Sequence, residues 1–186
     1  MRRSLKTAIA TATVLCALAP AAAADPGVGW ERIECRPFTT AAARTSSTCS
    51  AEIAGGRAVA PPGAPQEVKD AIRFANHIRG RPYVWGGGHA SWESRGYDCS
   101  GAVGYALHGA GLLETTMVSG QLEYWGEGGV GRWITVYANY HHVYMVVAGL
   151  RFDTRDPPPG ASGPRWHPDM PRDPSRKFTA RHPDGL

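Results

Sequence analysis

The stretch Tyr97-Asp98-Cys99-Ser100-Gly101-Ala102-Val103-Gly104-Tyr105-Ala106-Leu107-His108-Gly109-Ala110-Gly111 decides how the rest of the chain is read. From Ser100 onward Val103, Ala106, Leu107 and Ala110 keep helical register, so a helix is predicted over 100–111 with Cys99 at its start. A helix start offers unpaired backbone N–H groups and the positive end of the macrodipole, and both favour a thiolate over a thiol. Gly101 permits close approach of another backbone or a ligand, and the amide of Cys99 or Ser100 is placed to bind a developing oxyanion. The competing use of the same residue is a small buried cysteine at a helix end, and the local sequence leaves both open.

Toward the N-terminus, Arg81 to Asp98 is rich in turn residues. Before it, Val68, Ala71, Ile72, Ala75 and Ile78 mark a helix over 65–78, with Pro65 suited to its first turn and Gly80 to its stop. Residues 25–63 show little periodicity and end in Ala60-Pro61-Pro62-Gly63, which predicts an irregular extension and a stiff linker ahead of a domain over 64–186. Residues 1–24 combine Arg2, Arg3 and Lys6 with an apolar run and an alanine-rich end, the layout of a secretory signal peptide. That run is short of the roughly 20 residues a bilayer span needs, so no membrane anchor is expected after cleavage.

Cleavage at that point changes both the charge and the cysteine count. The formal charge of +4 drops to 17 Lys+Arg against 16 Asp+Glu, which removes the electrostatic case for nucleic acid. Cys16 is lost, leaving Cys35, Cys49 and Cys99 in an oxidising compartment. Cys35 and Cys49 share one polar segment, and a disulfide between them would contribute on the order of 3 kcal/mol. Cys99 is then the unpaired thiol. With 23 Gly and 15 Pro among 186 residues, the composition excludes a coiled coil, collagen or a membrane bundle and points to one loop-rich domain, expected to act as a monomer.

Toward the C-terminus, a short helix is expected near Val118–Tyr124 and a glycine-rich turn over 126–131. The β-branched and aromatic runs Arg132–Tyr137 and His142–Val147 read as strands, and Ala148-Gly149 turns the chain into a third, Leu150–Thr154. Helices followed by an antiparallel meander define an α+β order. The tail over 155–176 holds seven prolines and is expected to wrap the surface without regular structure.

A thiol nucleophile needs a base, and His141 and His142 stand at the start of the second strand. Successive strand side chains point to opposite faces, so one of the two can face Cys99. If Ala148 and Gly149 form a two-residue loop, Asp153 lies opposite Tyr144 and shares the face of His142, where its carboxylate can orient the ring. A three-residue loop would favour His141 instead.

Other motifs lead nowhere. Gly126-Glu127-Gly128-Gly129-Val130-Gly131 matches a dinucleotide fingerprint in letters, yet a strand should precede it and a helix follow. Gly86-Gly87-Gly88 lacks the Lys-Ser/Thr of a phosphate loop. His89, His108, His141, His142 and Cys99 show no paired ligand spacing, so neither a metal nor another cofactor is expected.

Pro82-Tyr83-Val84-Trp85-Gly86-Gly87, then Tyr97-Asp98-Cys99-Ser100-Gly101 opening a helix, then His142-Val143 opening a strand, resemble the NlpC/P60 cysteine peptidases over residues 66–154. The resemblance implies a papain-like α+β core with N-terminal helices packed on an antiparallel sheet, in a secreted or wall-associated bacterial enzyme. It implies Cys99 as nucleophile, His142 as general base, Tyr83 as a polar neighbour of the thiol near the oxyanion site, and a third polar residue near Asp153. Ser119 and Gln121 fall on a segment that lines the cleft in the family. The implied substrate and partner is peptidoglycan, cut in its stem peptides. Two other functions fit the same shell: a wall-binding module without turnover, and a Cys-His amidase or acyltransferase.

Overall fold

The computed structural model describes residues 49–171 and 177–186. The expected signal peptide, Cys35 and most of the expected extension lie outside the described residues, all of which fall within the unit Ile33–Leu186. Eleven elements follow in chain order: β1 (Glu52–Ala54), β2 (Arg57–Val59), α1 (Gln66–Ile78), α2 (Cys99–Gly109), α3 (Ser119–Leu122), β3 (Glu127–Gly128), β4 (Ile134–Asn139), β5 (His142–Val147), β6 (Leu150–Asp153), β7 (Arg165–His167) and β8 (Thr179–His182). The fold is α+β, with helices against an antiparallel sheet ordered β3-β8-β4-β5-β6-β7.

The core lies between the two long helices and one face of the sheet. Val68, Ala71, Ile72, Ala75 and Ile78 of α1 are buried together with Ala102, Val103, Ala106 and Leu107 of α2. They belong to one apolar cluster with Val136, Val143, Met145, Val147 and Phe152 from the three central strands. Along β5 this is every second residue, as a pleated strand requires, and it leaves His142 and Tyr144 on the alternate face. Tyr144 stacks there on its cross-strand partner Tyr137 at 5.1 Å between ring centroids, with Phe178 edge-on to it.

Two expectations are corrected. The tail is not without regular structure: Arg165–His167 pairs with β6, and Trp166 packs on Phe152 while donating its indole N–H to Asn76 Oδ1 at 2.9 Å. Proline spacing hid this strand, because Arg165-Trp166-His167 stands between Pro164 and Pro168 and is too short to show periodicity. Beyond the tail, Thr179–His182 inserts between β3 and β4, and so part of the glycine-rich turn, Glu127–Gly128, is drawn into the sheet. The segment before the linker is also not irregular throughout. β1 and β2 form a hairpin held to α1 by Asn76, which donates to Ala58 O at 2.7 Å and accepts from Ala58 N at 3.0 Å.

The joint between Tyr83–Gly88 and the start of α2 positions the chemistry. Asp98 N donates to Gly87 O at 3.2 Å, and Gly86 N donates to Asp98 Oδ2 at 3.1 Å. A Cβ on Gly101 would collide with the Gly87 carbonyl, so glycine at 101 is a packing requirement of the two backbones.

Candidate active site

Asp98 ends the extended segment and caps α2. Its Oδ1 accepts from Gly101 N at 2.7 Å and its carbonyl from Ala102 N at 3.0 Å. Four amides are orphaned at any helix start; here those of Cys99 and Ser100 meet no acceptor among the described residues. Cys99 is the first residue of the helix, half-buried, and the free cysteine among the described residues.

His142, not His141, is the histidine that local geometry sets against Asp153. Asn139 and His142 are paired in register, so Tyr140 and His141 form a two-residue loop and His142 is the first strand residue. Asn139 Oδ1 locks that loop by accepting from the amides of His141 and His142, both at 2.9 Å. His142 is 4% exposed. Its Nε2 lies 2.8 Å from Asp153 Oδ1, and the Cys99 thiol is near enough to act on the imidazole. With Nε2 turned to the carboxylate, Nδ1 is the nitrogen left for sulfur.

The β5–β6 loop has the two residues that place Asp153 on the His142 face. Val147 pairs with Leu150 and Met145 with Phe152, with Ala148 and Gly149 both at positive φ. Asp153 is 2% exposed and fully engaged: besides His142, its Oδ1 accepts from Arg155 N and its Oδ2 from Arg151, each at 3.0 Å. Burial alone would raise its pKa, yet the His142 hydrogen bond, the imidazole charge and the arginine contacts together hold it below the usual carboxylate value. For His142 burial pulls the pKa down, and the Asp153 hydrogen bond with the charges of Asp153 and Cys99 outweighs it, leaving the imidazole above its ordinary value. Both directions favour the charged forms of the imidazole and the carboxylate.

Tyr83 and Ser100 fall on the same end of α2. Tyr83 bridges to Tyr97 in the extended segment that leads into the helix. Its phenol is raised first by burial and then by the charges of Cys99 and Asp98. Ser100 is buried, its Oγ 3.2 Å from Asp98 Oδ1 and 3.1 Å from His89 Nε2. Ser119 and Gln121 do local work: Ser119 donates to Tyr140 O, and Gln121 Oε1 accepts from Val118 N. The Cys35–Cys49 pairing lies partly outside the described residues, and Cys49 is buried and not a free thiol.

Three contributors went unread in the sequence. His89 holds the capping carboxylate, with Nε2 3.1 Å from both Asp98 oxygens. Arg151 backs Asp153, and its signal was available, since residues two apart on a strand share a face. Asn139 sets the turn before His142, as an Asx residue two to three positions ahead of a strand can. Among the described residues no cluster of three metal-ligating side chains occurs, and no helix is long and apolar enough to cross a membrane.

No family model matches the chain. Two curated proteins match it, both named peptidoglycan endopeptidase RipB, from two strains of Mycobacterium tuberculosis. Each is 38% identical over 77 residues, covering 37% of this chain and 32% of RipB, so the chain matches about a third of the length of those relatives. Among solved structures, the P60 domain of an antigen from M. avium subspecies paratuberculosis is 24% identical, covering 62% of this chain and 94% of that one at a TM-score of 0.48. An NlpC/P60 family protein of Bacillus cereus is 21% identical over 62% of this chain and 39% of that one, with a TM-score of 0.48. The chain is thus similar to proteins named as a peptidoglycan endopeptidase and as P60 or NlpC/P60 proteins.

Proposed function

We propose that the chain is a secreted cysteine-type peptidoglycan endopeptidase. The observation that carries this reading is one buried imidazole fixed by the Asp153 carboxylate and influenced by the free Cys99 thiol at the start of α2. In it the Cys99 proton resides on His142, and the thiolate attacks the carbon of an amide in a peptidoglycan stem peptide. The carbonyl π pair moves onto oxygen, where the unengaged amides of Cys99 and Ser100, with Tyr83 nearby, stabilise it. As the C–N bond breaks, His142 gives its proton to the departing amine. Water, deprotonated by His142, then attacks the thioester, releasing the carboxylic acid and the free thiol. Asp153 keeps the ring oriented and stabilises its charged form throughout.

The match to proteins named peptidoglycan endopeptidase supports the substrate class. The rest of the reading is export by way of residues 1–24, a Cys35–Cys49 bridge and a wall-associated location. Purified peptidoglycan is to be digested with the wild type and with Cys99→Ala, and the products analysed by mass spectrometry. New stem-peptide fragments that vanish in the variant are expected. Unchanged walls with retained binding would make the chain a binding module, and acyl release from lipid or small amides without wall cleavage would make it a transferase or amidase.

A further inference from the structure

Away from the thiol, the end of α1 and the loop ahead of β7 line an open cavity. Arg79 is the C-cap of α1 and Arg165 the first residue of β7, and both line a cavity of about 530 Å³ with Gly56, Pro82, Ser162 and Trp166. None of the lining residues is acidic. Arg79 makes no hydrogen bond or ion pair with a described residue, and its Nε is buried without a partner. Arg165 donates from one terminal nitrogen to Ser162 O at 2.6 Å, while the other is buried without an acceptor. Gly56 lies against Arg79, and a Cβ there would stand 2.9 Å from its Nη1.

Two guanidinium groups line one cavity, each with a buried N–H that meets no acceptor, and the nearby Asp153 acts on Arg165 by charge without bonding it; such groups are costly unless an anion completes them. Their planar forks suit an oxyanion with two acceptor oxygens. We propose that this cavity binds a carboxylate, and specifically a free carboxylate carried by the peptide substrate. The second half rests on the peptidase reading and on position. Ser162 Oγ accepts the amide of Tyr83 at 3.2 Å, and Arg165 is the cross-strand partner of Asp153. A substrate anchored by an acidic group at Arg79 and Arg165 therefore lies along the segment that leads to the thiol.

The binding step is tested without turnover. The ¹⁵N-labelled full chain is titrated with glutarate and, separately, with inorganic phosphate, following the arginine Nε–Hε resonances. Saturable shifts at two arginines with millimolar glutarate are expected, weakened at least tenfold in Arg79→Gln and in Arg165→Gln. No saturable shift, or tighter binding of phosphate than of glutarate, overturns the carboxylate site. Should a glutamine variant fold poorly, the wild-type titration still decides, and Arg165→Lys, which keeps the charge but loses the fork, is expected to bind more weakly. For the substrate half, Arg79→Gln should raise KM at least tenfold on a stem peptide with free carboxylates and leave KM on its amidated counterpart unchanged. Equal effects on both overturn it, whereas absence of cleavage by the wild type would fault the peptidase reading instead.

Discussion

His142 and Asp153 shift in opposite directions, so their contribution to stability has a window. Asp153 is held below its ordinary 3.8: its share is present above that value and is lost as pH falls through the lowered pKa. His142 is raised above 6.5: its share is full below that value and is lost as pH rises through the raised pKa. Stability from the pair is therefore greatest between those two ordinary values. Asp153→Asn is expected to flatten this profile in urea unfolding and to move the alkaline limb of kcat/KM to lower pH, because the imidazolium loses its counter-charge. An unchanged limb would remove Asp153 from the mechanism. Arg151 is 4% exposed and bridges Asp153 to Asp156. Arg151→Met removes a charge-assisted hydrogen bond from a buried carboxylate, and a loss of roughly 2 kcal/mol is expected by chemical denaturation.

At the scale of elements, α2 carries a buried glycine that its packing needs and another that it does not. Gly101 faces the Gly87 carbonyl, so Gly101→Ala should separate the two motif segments and abolish cleavage together with a fall in Tm. Gly104 faces Trp92 and Leu113 at 3.5 and 3.6 Å, ordinary contact for a methyl group. Gly104→Ala should therefore gain helix propensity, about 0.5–1 kcal/mol in urea unfolding. A destabilised Gly104→Ala would show that this face of the helix is tighter than its contacts imply. The elements that position the chemistry were legible for the same local reasons. Apolar spacing marked α1 and α2, and a two-residue loop at Ala148-Gly149 sufficed to bring Asp153 to the His142 face. The choice between the two histidines was not legible from parity alone, since it depended on Asn139 closing a loop that ends at His141.

On the scale of the whole described unit, the sheet is completed from its far end. β8 lies between β3 and β4, and Leu186 O accepts the amide of Trp133 at 2.5 Å. Removing residues 177–186 would bare the backbone edge of β4, the strand that carries Asn139. Such a truncation is expected to lower Tm by more than 10 °C and to promote aggregation, readable by calorimetry and light scattering; an unaltered Tm would mean that β8 is dispensable.

By itself the sequence determined what short-range chemistry controls: the periodic faces of the two long helices, the cysteine at a helix start, and the loop length that sets the pairing of β5 with β6. Tertiary structure alone decided that Asn139 closes the turn ahead of His142, that His89 stands behind the capping carboxylate, and that the proline-rich end supplies a strand. The strand pairings join residues far apart in the chain, and their gain comes from burial and completed hydrogen bonds that local spacing does not encode.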